Sequence, residues 1–259
     1  MTPTILRTLI NVIRPDSGAA KILGKDSRSL KYDDYNNIGY VSENQVIPDK
    51  LTIAQYLRYL QRLYKSWDHG FANSLTKQLE LPLDREINKL SHGMRMKTVL
   101  IAGLAFRPKV LLLDEPLTGM DTLTRDEVVD GLLQQADETT IVISSHELSE
   151  IEYFTTHIAF MDKGTLYFQE SIESLKSRFR EVRVKLSAEK DISHGLPESW
   201  LFPEITGHLL RFLESDYQGQ EDLNKKLLRR FGAVTFETQP MNLREISKSL
   251  IKSKRNSLQ

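Results

Sequence analysis

The 259-residue sequence contains no cysteine. This excludes disulfides, thiolate zinc sites and cysteine nucleophiles, and it points to a reducing compartment. No run of about 18 apolar residues occurs, and the N-terminus lacks the charged, apolar and small-residue order of a signal peptide. A soluble chain is therefore expected, with any membrane role supplied through a partner. An excess of either charge is also missing, since Lys plus Arg and Asp plus Glu number 35 each. The net field gives no reason to expect nucleic acid as a partner.

The apolar residues that are present fall into two kinds of pattern. Residues 4–13 place Ile5, Leu6, Leu9, Ile10 and Ile13 at helical spacing, and "RPDSG" follows as a turn. "LTIAQYLRYLQRLY" predicts an amphipathic helix with Ile53, Tyr56, Leu57, Leu60, Leu63 and Tyr64 on one side. "NNIGYVSENQ" reads as a short strand entering a polar loop. "KVLLLDEP" and "TTIVISSH" are continuous apolar runs, expected to be strands buried on both faces of a parallel sheet. Helical segments lie between them, so the class is α/β. Beyond residue 171 the character changes. "EVRVKLS" and "AVTFET" alternate like half-exposed strands, with Val182, Val184 and Leu186 on one face and Val234 and Phe236 on another. "EDLNKKLLRRF" and "NLREISKSLIKS" look helical. The expected division is a main domain over 1–170, with a helical part at about 46–100, and a small α+β domain over 175–259.

The chemistry concentrates at "VLLLDEPLTGMD". Four aliphatics followed by Asp114 and Glu115 put two carboxylates at the carboxyl end of a central strand, where open α/β sheets bind ligands. One carboxylate there can hold Mg²⁺ while its neighbour accepts a proton from water. Such a strand end is common in α/β proteins, and its neighbours give it meaning. Upstream, "LSHGMRMK" sets Ser91 and Gly93 at the start of a helix, where free N–H groups can meet an anion. Downstream come Asp121, in "GMD", and His146, after "TIVISS".

In order and spacing these segments resemble the ATP-binding cassette ATPases, the motor subunits of ABC transporters. "LSHGM" is similar to their signature sequence, "VLLLDEP" to Walker B with its catalytic Glu, "TGMD" to the D-loop and "SSH" to the switch histidine. The resemblance implies a P-loop NTPase-like, RecA-like fold, with a mostly parallel sheet and a helical subdomain. It further implies ATP and Mg²⁺ as cofactors, a second cassette in a homo- or heterodimer, and a transmembrane permease that holds the chain on the cytoplasmic face of the membrane. Carried over by position, Asp114 would orient Mg²⁺, Glu115 would polarise the attacking water, and His146 would contact the γ-phosphate. Ser91 and Gly93 would bind the γ-phosphate of a nucleotide on the opposing subunit, and Asp121 would couple the two sites. The structural alternatives are that Ser91 only caps a helix and that His146 only caps a sheet edge.

Three departures from the family pattern bear on function. His92 and Met94 replace the usual Gly and Gln of the signature, a pattern closer to bacterial exporter-type cassettes. Glu43 stands where the family's Q-loop Gln usually lies, with Gln45 two residues later; either could serve, and Glu43 could also touch Mg²⁺. The sequence also has no G-x-x-x-x-G-K-[ST] string to cradle phosphates. "TPTILRTLINVIRPDSG" resembles the helix and turn that follow that loop, placing Met1 near its lysine and Thr2 near its Mg²⁺-binding hydroxyl. The expectation is a cassette truncated before or within this loop, with an apolar edge exposed on the "TIVISSH" strand. Two readings stand at this point: an ATPase subunit of an exporter, and a non-catalytic cassette or remnant that pairs with an intact one.

Overall fold

The computed structural model describes residues 2–134, 138–187, 195–232 and 235–257, and side chains within these from residue 4 to 253. The chain forms two compact units, Met1–Glu150 and Ile151–Gln259.

The first unit opens with helix α1 (Thr2–Leu9), whose Leu6 and Ile10 pack with Ile22, Ile38 and Leu112. Asn11 adopts a left-handed φ of 59° and ends the helix, with the Val12 N–H bonded back to the Arg7 carbonyl. Ile13 thereby leaves the helical period, and Ile5 is 39% exposed, so the buried stripe is narrower than the spacing predicts. A hairpin of β1 (Lys21–Ile22) and β2 (Lys25–Asp26) turns through Leu23 and Gly24, both at positive φ.

The sheet that carries the site is parallel, in the order β3 (Ile38–Ser42), β4 (Val110–Asp114), β5 (Thr140–Ser144). Helices α2 (Ile53–Gln61), α3 (His69–Gln78) and α4 (His92–Leu104) lie between β3 and β4 in sequence. Thr52 and Gln55 form a capping box that starts α2. It ends at Gln61, which leaves Leu63 40% exposed beyond it, while Tyr64 stacks on Phe106 at 4.0 Å. Helix α4 approaches β3 closely through two glycines. A Cβ on Gly39 would lie 2.7 Å from the Gly103 carbonyl oxygen, and one on Gly103 would lie 2.6 Å from Val41 Cγ2. Helix α5 (Thr122–Leu133) joins β4 to β5, and α6 (Leu148–Ile151) follows β5.

Strand β4 is buried as expected, with Leu111, Leu112 and Leu113 at most 1% exposed. Strand β5 differs. Among the described residues it pairs only with β4, and Val142 is 40% exposed. An edge position, rather than weak apolarity, accounts for its half-exposed pattern.

The second unit begins with a hairpin of β6 (His157–Asp162) and β7 (Thr165–Ser171), turned at Lys163 and Gly164. Helix α7 (Ile172–Arg178) leads into an antiparallel sheet built from β8 (Arg180–Lys185), β9 (Trp200–Thr206), β10 (Leu209–Glu214) and, beyond helix α8 (Gln220–Phe231), β11 (Thr235–Pro240). Its order is β11-β8-β10-β9, and helix α9 (Leu243–Ser257) completes the unit. Val182, Val184 and Leu186 lie in one core with Trp200, Phe212, Leu223 and Leu227, and Phe236 packs against it. Val234 falls outside the described residues.

Candidate functional site

The register of the parallel sheet sets Ser42, Asp114 and Ser144 side by side at the carboxyl ends of their strands. Asp114 is 3% exposed, and each of its oxygens accepts one hydrogen bond. Tyr40 Oη donates to Oδ2 at 3.2 Å and Ser144 Oγ donates to Oδ1 at 3.1 Å. Arg7 Nε stands 3.5 Å behind Tyr40 Oη, which gives the chain Arg7, Tyr40, Asp114. The two donors fix the plane of the buried carboxylate.

The next residue turns sharply off the strand. Glu115 has a left-handed φ of 53°, a conformation uncommon for a residue with a side chain. Its N–H donates to Ser144 Oγ at 3.0 Å. Its Oε2 accepts from Thr118 Oγ1 at 3.2 Å, while Oε1 stands 3.3 Å from His146 Nε2 without hydrogen-bond alignment. Oε1 is thus a buried acceptor left open, although the side chain it faces, His146, is 86% exposed. Buried polar atoms are nearly always satisfied, which sets Glu115 Oε1 apart from the other carboxylate oxygens of this strand end.

The remaining sequence-derived residues take more local roles within the unit. Ser91 is the N-cap of α4, where its Oγ accepts from the Met94 N–H at 3.2 Å. That bond leaves the hydroxyl proton unused. Gly93 is needed for packing, since a Cβ there would lie 2.7 Å from Thr124 Cγ2. Asp121 is the N-cap of α5, with Oδ1 accepting from the Thr124 N–H at 3.0 Å and Oδ2 from Thr124 Oγ1 at 2.8 Å. These two bonds hold its carboxyl below the ordinary value, despite full exposure. His92 reaches across to the Thr118 carbonyl at 3.0 Å, linking the start of α4 to the turn between β4 and α5.

In the loop after β3, the half-buried Glu43 donates its N–H to the Asp114 carbonyl at 3.1 Å. Gln45 folds back so that its Oε1 accepts from the Ser42 N–H at 3.3 Å. The backbone of Glu43 therefore adjoins Asp114, and the Gln45 side chain serves its own turn. Thr2 begins α1, and its side chain and the whole of Met1 lie outside the described residues.

Comparison with known proteins decides what this arrangement belongs to. A family model described as ABC transporter matches residues 3–118. The sulfate/thiosulfate import ATP-binding protein CysA of Chlorella vulgaris, so named as probable, is 32% identical over 170 residues, 63% of this chain and 72% of that protein. The chain belongs to the ABC transporter ATP-binding family. The ABC transporter ATP-binding protein YtrB of Bacillus subtilis is 27% identical over 248 residues, covering 94% of this chain and 82% of that one. A solved ATP-binding subunit of an ABC transporter shares the fold at a TM-score of 0.61 and 20% identity, over 68% of this chain and 75% of that chain. Among the described residues, no helix of this family member is long and apolar enough to cross a membrane.

Two residues of the site escape a sequence reading of this ABC protein. Tyr40 looks like an ordinary strand aromatic, and Ser144 like the polar end of an apolar run. Their contacts with Asp114 span 74 and 30 positions, beyond any local pattern.

Proposed function

We propose that the protein is the ATP-hydrolysing subunit of an ABC transporter, docked through a separate permease on the cytoplasmic face of the membrane. The junction of β4 and β5 carries this reading, because it sets an ordered carboxylate, Asp114, next to an open one, Glu115 Oε1, with His146 at 3.3 Å.

The donor set suits Mg²⁺, which takes oxygen ligands and keeps few protein partners. Among the described residues, no group of three or more His, Cys, Asp or Glu could hold a metal alone. Bound there with ATP, Mg²⁺ would offset charge on the phosphate oxygens. Asp114 would hold the ion through the lone pairs that Tyr40 and Ser144 leave over. Glu43, whose N–H bonds to the Asp114 carbonyl, is the Q-loop candidate proposed as a further ligand, with Gln45 as its alternative. Thr2 as a ligand rests on the family resemblance alone.

Glu115 Oε1 would accept a proton from the attacking water, and the exposed His146 would donate to the γ-phosphate while staying beside Glu115. Ser91 and Gly93 open helix α4, whose free N–H groups would meet a γ-phosphate held by the opposing subunit of a dimer. The unused proton of Ser91 would serve the same oxygen. Asp121 would transmit between the two sites from its fixed position at the head of α5. The phosphate-loop string is not among these 259 residues, and in a pair with an intact cassette Ser91 and Gly93 would complete that partner's site. Export is the proposed direction, on the strength of His92 and Met94 in the signature. The small domain at 175–259 would be an accessory element.

The test is phosphate release by the protein purified from membranes with its bound membrane subunit. Release that requires Mg²⁺ and is lost in Asp114→Asn supports the proposal; a complex that hydrolyses no ATP overturns it.

A further inference from the structure

Asp114 is gripped from both neighbouring strands, one donor to each oxygen. The two donors are not equivalent. Tyr40 Oη accepts from Arg7 Nε at 3.5 Å and so ties Asp114 back to α1, whereas Ser144 accepts the N–H of Glu115. That N–H has left the ladder, because pairing of β4 with both neighbours ends at Asp114. It lies between the buried Asp114 and the buried Pro116, and the Ser144 hydroxyl satisfies it. The same hydroxyl, 3% exposed as a residue, directs its single proton to Asp114. One side chain therefore fixes two things: the plane of the Asp114 carboxylate and the left-handed backbone from which Glu115 projects.

We infer that Ser144 is a positioning residue that sets Asp114 and Glu115 against each other, with Tyr40 as a second support acting on Asp114 alone. For turnover the inference rests on the hydrolytic reading above. For the backbone of Glu115 it does not. Without the hydroxyl, Glu115 loses the bond that holds its strained conformation, and Oε1 moves relative to Asp114 and His146. Supporting partners of metal-site and catalytic groups typically change activity by about 10–100-fold when removed.

The variants Ser144→Thr and Ser144→Val separate the hydroxyl from side-chain bulk, since they differ chiefly in that group. Amide hydrogen exchange of the full chain, read at Glu115 and at Leu112 as an internal control, is the first readout. The Glu115 amide is expected to exchange about tenfold faster in Ser144→Val than in Ser144→Thr, with Leu112 unchanged. Tyr40→Phe is expected to leave the Glu115 amide as in the wild type. In the complex with the membrane subunit, kcat is expected to fall about 10–100-fold in Ser144→Val and to recover in Ser144→Thr, with KM for ATP within about twofold. If Ser144→Val does not fold, Ser144→Ala takes its place with the same expectations. Equal Glu115 exchange in the variants with and without the hydroxyl overturns the inference. A hydroxyl-dependent amide in a wild-type complex that hydrolyses no ATP contradicts the hydrolytic reading and leaves the Ser144 clamp standing.

Discussion

The imidazole of His146 stands 3.3 Å from the carboxylate of Glu115, across the ends of two adjacent parallel strands. One partner is exposed and the other mostly buried, so the pair spans the boundary between protein and solvent. His146→Ala removes the imidazole that stands 3.3 Å from Glu115 Oε1. The expected outcome is a fall in kcat of about 100-fold, with ATP affinity changed far less. Steady-state kinetics with a parallel nucleotide-binding measurement checks it; an unchanged kcat would remove His146 from the site.

The glycines at the interface of β3 and α4 give a prediction independent of chemistry. Gly39→Ala and Gly103→Ala each put a methyl group within 2.7 Å of a neighbour, and at Gly39 one neighbour is backbone, which cannot turn aside. Each is expected to destabilise the first unit by about 1–3 kcal/mol. Gly131 in α5 offers the opposite case, because nothing lies within 4 Å of its added Cβ. Gly131→Ala is expected to stabilise by about 0.5–1 kcal/mol. Urea unfolding of the three variants checks both signs.

Asp121 supplies a pH dependence. Its folded pKa lies below the ordinary 3.8 because Thr124 donates to it twice, so its charged form contributes stability above that value. The contribution is lost as pH falls through the depressed pKa. Asp121→Asn keeps a capping oxygen without the charge. The stability gap between wild type and Asp121→Asn is therefore expected to close as pH is lowered from about 6 to about 2. Urea midpoints across that range measure it, and a gap independent of pH would contradict the assignment.

Much of the candidate site was legible because its residues sit at ends of strongly patterned elements. The aliphatic run of β4 locates Asp114 and Glu115, and Ser91 reads as a helix start from its place before α4. The second unit was half legible. Strand β8 announces itself by alternating Val182 and Val184, whereas β9 does not. Pro203 interrupts β9, and Phe202 takes a positive φ of 51° there, features tolerated because β9 is an edge strand. Tertiary position also overrides pattern in β5, where the apolar run "TIVIS" is half exposed at a sheet edge. Tyr40 and Ser144 were invisible for a third reason. Their roles arise from parallel register between strands far apart in sequence, and no local spacing encodes that.

The most direct measurement of the central claim is a single-turnover assay of Glu115→Gln against wild type, each in complex with its membrane subunit. The amide keeps the size of the side chain and cannot take a proton from water. The account predicts that the variant binds and retains ATP while phosphate release falls by at least about 100-fold. Phosphate release at the wild-type rate would contradict it and return Glu115 to the role of a strained turn residue.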